Sequence, residues 1–500
     1  MSEKKPRRRR RRRKKLLEVE KSLPWWHELV SSTVQTPVFA NHRAIFTNRT
    51  LRLDRVKAIG FDFDHTLAVY NNEALDSLAL KLVTDRLIKH ENVSTKVVSQ
   101  LPPPEFARKG LIIDLELGII LKTDRYGHVK HAYHGSHRLT PADKRKHYGR
   151  MDVIPHVTQG NRFIQADTAF AHPEVLLFAA LAPHQDGSCV KLWKAIRKHT
   201  DIIHRDNSLK SVITADPHAF LNPDSTTVAM LKHLRDGGKK VFLITNSEWE
   251  YTRTMMRPAL GLGTGQELDW LELFDMVVVE SRKPGYFDAS KKNGTVRVLG
   301  PDNIVAGGNI THLEAELGCS GNDILYVGDH IYGDLITSKR NQNWRTMLIV
   351  EELEQELTVQ STLPGMTNQL QHMDEGRNSS ERIVQHWKNL EEALDRLPAD
   401  QVNDQFLEFK DECERNRKQA IKALRFHIRK RDDLRRRLAQ ATNKYWGSLF
   451  RAGSELTYYG RQLEDFACTY TSRATNMLLY PTDHYFRSQM DYLPHELESM

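Results

Sequence analysis

The sequence predicts an α/β protein built on a parallel sheet, with a long insertion and a helical C-terminal extension. Apolar runs rich in Val, Ile and Leu recur as VKAIGFDF (56–63), KVFLITN (240–246), FDMVVVES (274–281), DILYVGD (323–329) and WRTMLIVEEL (344–353). That is the composition of strands buried on both faces. Helical patterns lead into three of them: TVAMLKHLRDGG (227–238), EYTRTMMRPALG (250–261) and THLEAELG (311–318). Strand and helix thus alternate in a doubly wound manner.

The alternation breaks in residues 75–223, read as an insertion that covers the sheet and carries substrate-binding residues. There IILKTDRYGHVKHAYHG (119–135) alternates around a Tyr-Gly turn and predicts a hairpin. The helical stretches EVLLFAALA (174–182) and CVKLWKAIRKH (189–199) follow it. Residues 16–74 and 224–360 are assigned to the core, and residues 361–380 to a polar linker. Residues 381–500 read as a helical region packing on the core, with Ile421, Leu424 and Ile428 on one stripe. Residues 1–15 read as a disordered basic tail, since like charges repel and little apolar surface is available to bury.

The bulk numbers narrow the function classes. Among 500 residues, 39% are hydrophobic and 27% charged, as in ordinary globular proteins. No apolar run approaches the roughly 20 residues that span a bilayer. The N-terminus is charged where a secretory signal needs an apolar stretch. The four cysteines lie far apart with no CxxC pair, which argues against a zinc ribbon or a disulfide framework. Together these lead to an expectation of a cytoplasmic protein, or a nuclear one if the tail acts as a localisation signal. Residues 4–15 hold eleven positive charges, and without them the net charge of +9 becomes −2. The expected polyanion contact is therefore through the tail.

Ligands of open parallel sheets bind at the carboxyl ends of the strands. Four strand ends here are polar: Asp62-Phe63-Asp64-His65-Thr66, Thr245-Asn246-Ser247, Arg282-Lys283-Pro284, and Gly328-Asp329-His330-Ile331-Tyr332-Gly333-Asp334. This set fits phosphoryl transfer through a covalent aspartyl-phosphate. Asp62 is the expected nucleophile, and Asp64 the group that protonates the leaving oxygen and then activates water. Mg²⁺ would be held by Asp62, Asp64 through its backbone carbonyl, and Asp329, with Asp334 as support. Thr245, Asn246 and Ser247 would donate to phosphate oxygens, with Lys283 balancing charge.

GFDFDHTLAVY, VFLITNSEWEYT, ESRKPGYF and ILYVGDHIYGDLITSKR resemble the four motifs of the haloacid dehalogenase superfamily. In detail, and through the late segment WGSLFRAGSELTYYGRQLEDFACTYTSRATNMLLYP, the chain resembles the cytosolic purine 5′-nucleotidase family. The resemblance implies a Rossmann-like core with a cap and Mg²⁺-dependent hydrolysis of purine nucleoside 5′-monophosphates such as IMP and GMP. It also implies phosphate transfer to another nucleoside and a homo-oligomer, dimer or tetramer. By the same resemblance, AIRKHTDIIHRDNSLKS places Arg197, Asp201 and Lys210 where the nucleotide is held. Phe170 in DTAFAHPE matches an aromatic that stacks on the base, and His204 a histidine near it. His65 stands where the animal enzyme has tyrosine, Arg205 where it has an aromatic, and Ala171 where it has asparagine.

Two rivals remain at this stage: a phosphatase for another phosphomonoester, and a non-catalytic binding or scaffold protein on the same fold. Retention of Asp62, Asp64, Lys283 and Asp329 speaks against the scaffold, because clustered like charge is costly without a use. His131, His134 and His137 recur every third residue, but a strand sends such residues to alternate faces, so they are expected to be a solvated hairpin end.

Overall fold

The computed structural model describes residues 41–150, 152–154, 161–289, 296–300, 303–398, 403–490 and 496. The basic tail lies outside the described residues. Nine strands form one twisted sheet in the order Phe46–Thr47, Thr469–Thr471, Arg345–Ile349, Ile324–Gly328, Ala58–Phe61, Lys240–Ile244, Met276–Val279, Ile304–Ala306, Arg297–Val298. The seven inner strands run parallel, and the two short edge strands are antiparallel.

Ala58–Phe61 is the central strand and the point where the winding reverses. Lys240–Ile244 and its successors lie on one side of it, and Ile324–Gly328 and its successors on the other. The register pairs Phe61 with both Val327 and Leu243, so the neighbouring strands end level with it. Asp62 extends the ladder by one step, its N–H donating to the Val327 carbonyl at 2.9 Å. Alternate side chains fill opposite faces. Ile59, Phe61, Leu243 and Val327 enter one apolar layer, and Ala58, Phe242, Ile244 and Tyr326 the other.

Beside this sheet lies a five-stranded antiparallel one, ordered His137–Arg138, Val129–His134, Ile119–Thr123, Leu111–Asp114, Phe163–Ala166. The expected hairpin is its centre, turning at Tyr126-Gly127. The helices His172–Leu181 and Val190–Arg205 follow. No described helix is long and apolar enough to cross a membrane.

The C-terminal part departs from expectation in two ways. Residues 361–380 are not an irregular linker. A helix runs through Pro364–Leu394 and packs antiparallel on Asp404–Thr442, held by Arg417–Glu391 and Arg435–Asp374 ion pairs. A helix in a two-membered hairpin buries only a narrow stripe, so its polar composition resembles that of a linker. Gly376 is where the helices approach: a Cβ there would lie 2.7 Å from the His427 ring. Secondly, the region is not only helical. Thr469–Thr471 adds a strand to the core sheet, too short to show a period.

Gly60 sits mid-strand because nothing larger fits. A Cβ there would come 2.1 Å from the Phe242 ring. Gly60→Ala is expected to cost about 1–3 kcal/mol by overpacking, read as a lower urea midpoint at unchanged slope. An unchanged midpoint would show that Phe242 moves aside freely.

Candidate active site

The chain turns sharply after Asp62. The Phe63 carbonyl accepts from the N–H groups of Thr66, Leu67 and Ala68 at 3.3, 3.0 and 2.9 Å, and His65 takes a left-handed φ of 56°. This turn sends the Asp62 and Asp64 carboxylates into different surroundings.

Asp62 Oδ1 accepts from the Phe63 N–H at 2.7 Å and meets the Lys283 ammonium at 2.7 Å. The same ammonium donates to Asp334 at 2.8 Å and to the Tyr326 hydroxyl at 3.1 Å, so its three protons have three acceptors. Burial disfavours the Lys283 charge, but the Asp334 and Asp62 carboxylates outweigh it and hold the lysine protonated. Burial pushes Asp62 well above the ordinary carboxylate range; Lys283 opposes this, and Asp334, Asp329 and Asp64 add to it.

Asp64 instead accepts from hydroxyls, Tyr70 at 2.6 Å and Ser247 at 3.0 Å. Tyr70 is paired in turn with Tyr251 at 2.9 Å. Thr245 Oγ1 accepts from the Ser247 N–H at 3.0 Å. Asn246 braces the lysine loop, its Oδ1 accepting from the Lys283 N–H at 2.6 Å and the Ser281 hydroxyl at 2.9 Å.

Oxygens of Asp62, Asp329 and Asp334 lie within 4.8 Å of one another, and among the described residues they are the one such acidic, histidine or cysteine group. Asp329 Oδ2 is buried without a hydrogen-bond partner. Clustered carboxylate oxygens with one orphaned fit a hard divalent cation. The Asp64 side chain is outside this group, leaving its backbone carbonyl as the expected donor. His131, His134 and His137 do not join any such group.

Sequence reasoning missed the far wall of the site. Lys109, just before the Leu111–Asp114 strand, is buried 3.9 Å from Asp329 and 3.7 Å from Glu352. Glu351 Oε1 lies 3.6 Å from buried His65. Both glutamates follow the Arg345–Ile349 strand, so the strand-end rule that found the other residues reaches them too. Lys109 carries no comparable signal.

Phe170, 37% exposed, meets His65 edge-on at 4.9 Å and His204 at 5.9 Å. Arg197 donates to buried Glu174 at 2.7 Å and to Asp201 at 3.4 Å. Lys210 pairs with Glu248 and sits 5.1 Å over the Tyr251 ring. The structure thus brings Phe170 and His204 together beside the turn that follows Asp62 and links Lys210 to Asp64 through Tyr251 and Tyr70. Arg197 and Asp201 pair with each other one helical turn apart.

The family model described as 5′ nucleotidase family matches residues 45–498. A 5′-nucleotidase domain-containing protein of Dictyostelium discoideum is 25% identical over 479 residues, covering 91% of this chain and 75% of that protein. The crystal structure of a predicted phosphoglycolate phosphatase from Haemophilus somnus 129PT is similar over 59% of this chain and 86% of that one. At 13% identity and a TM-score of 0.26, this likeness supports no inference.

The His65–Glu351 pair gives a pH signature. Burial pushes Glu351 up, but His65 and Lys109 outweigh it and bring the carboxyl down to about 2 from 4.5; burial lowers His65, and Glu351 more than restores it, above 6.5. The Glu351 contribution is fully present above 4.5 and lost as pH falls through 2; the His65 contribution is fully present below 6.5 and lost as pH rises through the raised folded value. The stability gap between the parent chain and Glu351→Gln is expected to be widest between pH 4.5 and 6.5 and to narrow on both sides. Urea unfolding at a series of pH values measures it, and a flat gap would show that the two groups do not act as an ion pair.

Proposed function

The chain belongs to the 5′-nucleotidase family, and on that premise we propose that it hydrolyses purine nucleoside 5′-monophosphates of the IMP and GMP type through a phosphoenzyme on Asp62. The observation that carries this is the division of labour between two carboxylates one residue apart. Asp62 shares an ammonium with Asp334, while Asp64 is held by the hydroxyls of Tyr70 and Ser247. Such paired carboxylates in unlike surroundings are the pattern of a nucleophile and an acid–base partner.

In the first step an Asp62 oxygen bonds to phosphorus as the ester P–O bond breaks, and Asp64 gives its proton to the departing 5′-oxygen. In the second, Asp64 takes a proton from water as that water attacks phosphorus and releases Asp62. A nucleoside hydroxyl in place of water makes the second step a phosphotransfer. Lys283 neutralises charge beside Asp62, and Thr245, Asn246 and Ser247 present hydroxyl and amide groups to the phosphate. A divalent cation, Mg²⁺ in this proposal, supplies positive charge among Asp62, Asp329 and the Asp64 carbonyl, offsetting the repulsion between carboxylate and phosphate. Asp334 orients Lys283 and the His330 N–H, the latter at 3.2 Å.

Phe170 offers an exposed ring for a purine, with Arg197, Asp201, His204 and Lys210 as polar contacts. Burial lowers the His204 pKa, which suits hydrogen bonding by a neutral imidazole. Cytoplasmic location and assembly as a dimer or tetramer belong to the same proposal.

Asp62→Asn is expected to fold normally and to lose Mg²⁺-dependent phosphate release from IMP, because an amide cannot form the acyl-phosphate. Substantial turnover by the folded variant would remove Asp62 as nucleophile.

Phe170→Ala is expected to raise KM for IMP and GMP roughly five- to a hundredfold, the range for losing one base–aromatic stack. Hydrolysis of p-nitrophenyl phosphate should be nearly unchanged, since that ester does not reach the ring. Equal losses on both substrates would mark Phe170 as a packing residue instead.

A further inference from the structure

The helix Asp404–Thr442 carries a charge pattern that catalysis does not use. Between Arg415 and Arg437 lie eleven lysines and arginines and two aspartates, a net of +9. Outside this segment and the N-terminal run of residues 4–15, the chain nets −11. The positive charge is therefore local.

The structure sorts seven of these eleven cations into two sets, while Lys418 and Arg436 pair within their own helix, with Glu414 and Asp433. Arg417, Arg431 and Arg435 turn toward the neighbouring helix and pair with Glu391 and Asp374. Lys422, Arg425, Arg429 and Lys430 are exposed and make no ion pair or hydrogen bond with any described residue. With Phe426 and Asp433 they line a surface groove of about 490 Å³. Asp433 is already engaged by Arg436 at 2.8 Å. Phe426 is 60% exposed, in the middle of the groove's four cations, which span about 12 Å of helix.

We propose that this face binds a single-stranded nucleic acid, its phosphates on the four cations and an unpaired base on Phe426. A cationic track with an aromatic ring is how sequence-tolerant single-strand binders work. Three other occupants fit less well. A second copy docked two-fold on this face would set like charge against like. A membrane-lying helix needs a broad outward apolar face, whereas Ile421, Leu424 and Ile428 are half-buried and Ala420 and Leu434 buried. An acidic peptide would account for the cations but not for the ring.

The test uses the full chain, a fluorescein-labelled 20-nucleotide oligouridylate, and the same oligomer carrying 4-thiouridine for photocrosslinking. Crosslinks are expected in peptides spanning Lys422–Lys430, a readout independent of anything the N-terminal run binds. Phe426→Ala should weaken binding roughly five- to a hundredfold. The combined Lys422→Gln, Arg425→Gln, Arg429→Gln and Lys430→Gln variant should lose the crosslinks and reduce the slope of log K against log salt by about 2.8, four contacts at about 0.7 each. Both variants should keep the parent circular dichroism and phosphate release, because none of these residues belongs to the catalytic site. Crosslinks confined elsewhere would overturn the proposal. So would affinity unchanged by Phe426→Ala, which would indicate a general anion surface. Four-residue-dependent binding to phosphatidylserine vesicles in preference to the oligomer would overturn it in favour of a membrane.

Discussion

One buried ammonium organises the polar edge of the sheet. Lys283 reaches Asp62, Asp334 and the Tyr326 hydroxyl at once, and Tyr326 passes the contact on to the Ile244 carbonyl at 3.1 Å. Three of the strands that flank the site are tied to this group. Removing a partner from such a buried ionic set typically costs about 3–5 kcal/mol, because a charge is left uncompensated. The loop presenting the lysine is held accordingly. Asn246 binds both its N–H and, at 3.3 Å, its carbonyl, and Glu280 and Arg282 take left-handed φ values of 51° and 58°. Backbone strain of that kind persists only where surrounding contacts over-determine the conformation.

The second sheet is joined to this edge by charge and by rings. Lys109 faces Asp329 and Glu352 at distances too long for direct hydrogen bonds, so it acts on them as a charge in a low-dielectric setting. His65 stands between Glu351 and Phe170, so the strand-end glutamate and the exposed ring meet through one imidazole. Electrostatics of the turn after Asp62 and placement of the ring are thus not independent.

What the sequence made legible follows from where each signal lives. Strands buried on both faces announce themselves by composition, and the polar residues that end them stand out against it. That is why Asp62, Thr245, Lys283 and Asp329 could be named as neighbours across more than 260 positions. Glu351 and Glu352 obey the same rule, but in WRTMLIVEEL they sit inside the apolar run's own continuation, so no polar strand end stands out there. Lys109 was beyond reach, since its role depends on how two sheets meet. Thr469–Thr471 is too short for any period to register. The 361–380 segment failed for the opposite reason: a hairpin helix with one narrow buried stripe has the composition of a linker, and Gly376 is there for close packing rather than for a turn.

The basic helix shows the same limit at the surface. In the sequence, KALRFHIRKRDDLRRR is only a charge run, and such runs are usually solvated faces. The fold divides it. Cations that meet Asp374 and Glu391 are spent on the hairpin, and those around Phe426 are left facing outward with the ring among them. Pairing, not abundance, separates structural charge from charge available to a partner, and pairing is a property of the packed hairpin. A body that nets −11 outside this face and the N-terminal run, with one compact positive face, also steers a polyanion to one place instead of coating the molecule, because at physiological salt the field of each exposed charge fades within about 8 Å.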